Sequence, residues 1–140
     1  MKLKGIVEVW SLDKEGKVKS YIKKSNTILN NGREQFYHYG YKIYRIGIGT
    51  DNTDPDPSQT GLLNQVRLEV GSVSTSGDYD IIIEHTFTDW TETTNICEAG
   101  VHLADGDGNG KCYLNRVTFD PVTCDENNNI KIRFTITVTD

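Results

Sequence analysis

The sequence predicts an all-β domain, an antiparallel β-sandwich of about eight strands with one short α-helix near residues 31–39. Three observations carry this. Apolar and polar residues alternate over several segments, the period of a half-buried strand. Turn-forming residues recur roughly every eight to twelve positions, the spacing of sandwiches and barrels. Only one segment departs from the two-residue period. A chain of 140 residues suits one core and is short for two, so a single domain over residues 1–140 is expected.

"KGIVEVWSL" and "KVKSYIKKS" flank the polar turn "DKEG" and read as an N-terminal hairpin. Residues 1–25 would form this unit, with pairing to a neighbouring subunit as one option. "TILNNGREQFYHYG" breaks the alternation. Asn30 or Asn31 can cap a helix start, and Glu34 stands three residues after Asn31 as in a capping box. Phe36 and Tyr39 share a helical face, and Gly40 suits the stop. Gly32 weakens such a helix by roughly 1 kcal/mol relative to alanine, so packing must hold it. "YKIYRIGIG" and "QVRLEVGSV" read as two strands. Between them, "TDNTDPDPSQTG" has two prolines, three aspartates and no apolar residue, which marks a loop.

"YDIIIEHTFTDW" places Ile81, Ile83 and Phe87 on one side. "NICEAGVHL" gathers Cys97, Ala99, Val101 and Leu103, and "KCYLNRVTF" follows after a glycine-rich segment. "IKIRFTITVT" puts Ile130, Ile132, Phe134, Ile136 and Val138 on one face, with Lys131, Arg133 and threonines on the other.

Composition narrows the function classes. The net charge of −5 lacks the basic field of a general nucleic-acid binder. Lys14, Lys17, Lys19, Lys23 and Lys24 cluster near the N-terminus, and a solvated hairpin face is a simpler reading than a phosphate patch. No apolar run approaches the ~20 residues of a membrane span, and no secretory leader is legible. Synthesis as a soluble cytoplasmic chain is expected. Cys97, Cys112 and Cys124 are odd in number and lack C-x-x-C spacing, which argues for reduced thiols.

"ADGDGNGKCYLNR" places Asp105, Asp107 and Asn109 at alternate positions before Gly110, as an EF-hand loop begins. Position twelve, counted from Asp105, is Arg116, where calcium needs a glutamate. A hairpin tip is the expectation, with a weak surface calcium site on Asp105, Asp107 and Asn109 as the alternative. His38, His85 and His102 are too scattered to read as a zinc set. No nucleophile elbow, dinucleotide fingerprint or carboxylate pair is legible, so neither catalysis nor a cofactor is expected. Glu98 and Arg116 flank the tip. Simple closure would set Glu98 against Val117 and Arg116 against Ala99, on opposite faces. A bulge at Gly100 would bring the two charges together as a structural ion pair. Phe36, Tyr37, Tyr39, Tyr41 and Tyr44 crowd five aromatics into nine residues, which makes them interface candidates.

Five segments in order resemble a family of small structural proteins of tailed bacteriophages. "NTILNNGREQF" resembles an "ITNAG" opening before a short helix, and "IGIGTDNTDPDPSQTGLLNQV" a "GTG" followed by an acidic, proline-bearing loop. "ICEAGVHL" resembles "ITEAGIF", "CYLNRVTFDPV" resembles "LLARVVFDPI", and "IKIRFTITV" resembles a closing "LTVTWTIT". The likeness spans about residues 26–139. Cys97 stands where that pattern has threonine. The resemblance implies a virion component that acts through protein–protein contacts as a tail, neck or fibre-attachment protein. Other virion proteins and further copies of the chain would be its partners, with no nucleic-acid or membrane role. A capsid-surface decoration protein is the alternative in the same class. A receptor- or carbohydrate-binding module with functional loops is the alternative outside it.

Overall fold

The first and last strands of this protein pair with each other along their whole length. The computed structural model describes residues 2–38, 43–77, 79–104 and 112–139, with only the backbone for Tyr37 and His38. The elements are β1 (Lys2–Asp13), β2 (Val18–Ser25), β3 (Thr27–Ile28), α1 (Asn30–His38), β4 (Ile43–Gly49), β5 (Gln65–Val70) and β6 (Ser72–Ser76). They continue with β7 (Asp80–Phe87), β8 (Thr94–Ala104), β9 (Cys112–Tyr113), β10 (Asn115–Cys124) and β11 (Asn128–Thr139). One antiparallel sheet runs β2-β1-β11-β7-β6. The other runs β3-β10-β8-β4-β5, and β9 also pairs with β8.

The all-β architecture with one short helix is as the sequence predicts, and the strand count is higher. "QVRLEVGSV" is two strands. The chain leaves the second sheet at Gly71 and enters the first, which a nine-residue alternation conceals. The two-residue strands β3 and β9 are too short to give a periodic signal. The helix lies at Asn30–His38, one residue earlier than read. Its first N–H donates to the carbonyl of Pro57, 2.8 Å away, so the long loop caps it. Gly32 sits where the helix presses on the backbone of Tyr113 and Leu114, and a methyl there would collide.

In β11 the alternation is realised residue by residue. Ile130, Ile132, Phe134 and Ile136 are buried, and Val138 packs partly against the core. Val7 and Val9 of β1 and Ile83 and Phe87 of β7 complete this inner face. Ile46 and Ile48 of β4, Ala99, Val101 and Leu103 of β8, and Val117 of β10 oppose them. Burial of such side chains contributes roughly 1.5–3 kcal/mol each, which drives the closure of the two sheets.

β1 pairs with β11 from Lys2↔Thr139 to Asp13↔Asn128 and with β2 on its other side. The N-terminal hairpin is therefore an integral part of this sheet, with β2 as its outer strand.

β8 departs from simple alternation. Every residue from Ile96 to Ala104 is buried. One face joins the core. The other lies beneath the Tyr113 ring and the loop between β4 and β5, and that second covering places the charged residues described next.

Candidate functional site

Glu98 lies mid-strand in β8 and Arg116 near the start of β10. Both side chains are 0% exposed. Arg116 Nε donates to Glu98 Oε1 at 3.0 Å. The two meet through a one-residue shift, as the sequence suggests, but the extra residue lies on the strand opposite Gly100. Val117 faces Ala99 and Thr118 faces Glu98, a register displaced by one residue from simple closure. β9 keeps the register of simple closure, with His102 facing Tyr113, so one extra residue is taken up between Tyr113 and Val117, and Arg116 then falls on the face that Glu98 occupies. A second irregularity lies further on, within β10 between Thr118 and Val122.

The ion pair is the floor of the Thr50–Asn64 loop. Glu98 accepts backbone N–H bonds from Asp51 (3.1 Å), Leu63 (2.9 Å) and Asn64 (2.8 Å). Arg116 donates through Nη1 to the Thr53 carbonyl (2.7 Å) and Gln59 Oε1 (3.2 Å), and through Nη2 to the Asp51 carbonyl (3.2 Å) and Oδ1 (3.5 Å). The anion thus satisfies the N–H groups at the loop neck while the cation satisfies carbonyls further along it. Thr50 and Asn64 close the neck. Thr50 N–H donates to the Asn64 carbonyl at 3.1 Å, and Asn64 Nδ2 donates to Thr50 Oγ1 at 2.6 Å. Buried polar groups need such partners, and burying a charge costs more still unless it is paired and bonded.

This arrangement fixes a loop. A general acid or base must reach a substrate atom, whereas Glu98 and Arg116 are closed off from solvent and committed to backbone. What reaches solvent is the loop surface: Asn52, Thr53, Asp54, Asp56, Pro57 and Ser58 are exposed.

Asp51 and Asp56 organise turns within this loop, and Asp125 does so between β10 and β11. Asp51 and Asp56 are held below the ordinary 3.8, chiefly by side-chain hydrogen bonds from Thr53 and Ser58 and then by their backbone N–H groups. Asp125 is lowered first by the N–H of Asn127 and then by the Asn128 side chain. A carboxyl depressed in the folded state contributes stability that is present above its ordinary value and lost as pH falls through the folded value. The melting temperature is therefore expected to hold down to about pH 4 and fall below it. A thermal-denaturation series in acid would reveal a flat profile if these turns do not matter.

Tyr113 is a central side chain that sequence reasoning missed. Its ring packs over the cross-strand pair Gly47 and Gly100. Its hydroxyl donates to Gln65 Oε1, and His102 meets it edge-on with ring centroids 5.1 Å apart. A Cβ at Gly47 would strike the Tyr113 hydroxyl, and one at Gly100 would strike the ring and the Asn115 carbonyl. Glycines at 47 and 100 in adjacent strands were the available signal, since such positions often mark close approach by another group.

The remaining candidates are dispersed. Asp105, Asp107 and Asn109 lie outside the described residues, as do Tyr39 and Tyr41, and of Tyr37 only the backbone is described. Phe36 and Tyr44 are partly buried against the core, and burial raises the Tyr44 hydroxyl pKa. His85 contacts Glu69 at 2.7 Å. Among the described residues, no group of three or more His, Cys, Asp or Glu side chains could hold a metal ion. Cys97, Cys112 and Cys124 are buried and form no disulfide. Burial, then Glu98 and Asp51, push the Cys97 thiol up, and burial is the main lift on Cys124, to about 12. Among the described residues, no helix is long and apolar enough to cross a membrane.

Comparisons with protein-family models, with curated proteins and with solved structures find no match to this chain.

Proposed function

We propose that the protein is a structural component of a tailed-phage particle and works through protein–protein contact. A tail, neck or fibre-attachment position is the leading assignment. The observation that carries it is the union of Glu98 and Arg116 beneath the Thr50–Asn64 loop. Glu98 belongs to "ICEAGVHL", Arg116 to "CYLNRVTFDPV", and the loop to "IGIGTDNTDPDPSQTGLLNQV". Three of the five segments that resemble the phage proteins therefore meet in one device. That device stiffens an exposed loop. Rigid loops suit contact, because ordering them on binding costs little entropy.

The test is compositional. In purified particles of the virus encoding this chain, quantitative mass spectrometry is expected to find it in fixed stoichiometry with the known shell or tail proteins, retained through high-salt washing. Recovery only from the lysate, with none in particles, would reject the proposal.

A further inference from the structure

Two facing sheets have open edges, and a bare edge strand invites another strand to join it. In this molecule most edges are blunted. β2 carries Lys19, Lys23 and Lys24. β3 is two residues long, and beyond it the free flank of β10 is broken by its irregularity and by exposed Asp120 and Pro121. β5 sets Arg67 and Glu69 opposite Ile48 and Ile46, so their side chains point inward. There Arg67 pairs with Glu69 and lies over the Trp90 ring at 4.6 Å. Lysines, short strands, prolines, bulges and inward charges are the usual guards against edge pairing.

β6 has none of these. Its sequence is Ser-Val-Ser-Thr-Ser, without charge or proline, and all five residues are exposed. It forms the end of its sheet opposite β2 and pairs with β7 through five consecutive residues without a shift. Val73 and Thr75 stand opposite Ile83 and Ile81, so they face the sandwich interior, yet Val73 is 48% exposed. Nearby, Val70 is 59% and Tyr79 is 66% exposed.

We propose that β6 pairs antiparallel with β6 of a second copy of this chain, joining two five-stranded sheets into one of ten. A second copy is the occupant because the strand is complementary to itself. A two-fold axis through Ser74 sets Val73 of one copy across from Thr75 of the other, and Ser72 across from Ser76. Two β-branched side chains then meet on the inner face, and no charge opposes a like charge. The same strand laid against β2 would have to accommodate its lysines. Two-fold contacts of one patch with itself are the commonest form of self-association. Five residues span only about 17 Å of strand, so the contact is modest and depends on concentration.

This inference rests on the reading of the protein as an assembly component, and its test separates the two. Light scattering after size exclusion, over a concentration series, is expected to show monomer passing to dimer. Ser74→Lys places two ammonium groups at the axis and is expected to weaken dimerisation by roughly fivefold or more, with the melting temperature of the monomer unchanged. Ser74→Cys is expected to yield a disulfide-linked dimer on mild oxidation. Ser76→Cys is not, because its two copies lie about 13 Å apart along the strands, beyond disulfide reach. A chain that stays monomeric at every concentration overturns the pairing, as does a dimer indifferent to Ser74→Lys or one crosslinked through residue 76. Each of those results leaves the virion assignment standing if the chain is found in particles. A β6-paired dimer absent from particles rejects the virion assignment alone.

Discussion

Arg116→Ala is expected to destabilise the protein by about 3–5 kcal/mol, the cost of leaving a buried charge without its partner. Chemical denaturation of the variant measures it. Glu98 would keep its three backbone N–H donors and lose its cation. The Thr53 and Asp51 carbonyls would lose theirs. The damage should concentrate in the Thr50–Asn64 loop, and limited proteolysis is expected to cut there before the sandwich unfolds. A double-mutant cycle with Glu98→Leu distinguishes coupling from independent effects, because paired residues deviate from additivity by about 0.5–3 kcal/mol. An apolar replacement of both partners often rescues a buried ion pair. It is not expected to do so here, since the loop N–H and C=O groups would remain unpaired. Additive single effects would show that the two side chains act separately.

Gly47→Ala is expected to cost about 1–3 kcal/mol, the range for forcing extra volume into a packed site. The added methyl falls on the Tyr113 hydroxyl. The ring cannot slide freely, because Gly100 lies beneath it and Gln65 holds its oxygen. Tyr113→Phe removes the colliding atom and should recover part of the loss in the Gly47→Ala background, although alone it forfeits a hydrogen bond. A double variant whose cost equals the sum of the singles would mean that the hydroxyl is not what fills the space over Gly47.

Much of the fold was legible because one face of each long strand is core. In β11 the pattern Ile130, Ile132, Phe134, Ile136 leaves little choice of register, since a slip by one residue would turn every side chain over. β8 shows the limit. Its outer face is covered as well, and the loop that covers Glu98 comes from a segment some 34 to 47 residues earlier, which no local period reports. The sequence correctly singled out Glu98 and Arg116, and hairpin symmetry holds at His102 and Tyr113, but the one-residue shift falls between Tyr113 and Val117 and not at Gly100. The role of Tyr113 was hidden because its contacts come from Gly47, Gly61 and Gln65, far away in sequence. No local period reports such a contact. The change of sheet at Gly71 was invisible for a related reason, as both halves of "QVRLEVGSV" have strand-like composition.

The pairing of β1 with β11 also orders events in time. Hairpins such as β1–β2 join residues close in sequence and can form early, whereas β11 supplies a flank to both β1 and β7. Contacts between distant segments pay their loop-closure entropy before they return any stabilisation, so they form slowly. During synthesis β1 therefore waits with one side unsatisfied until β11 has been made. A chain interrupted before Asn128 would present two open strands in place of a sheet, and such exposed edges invite aggregation.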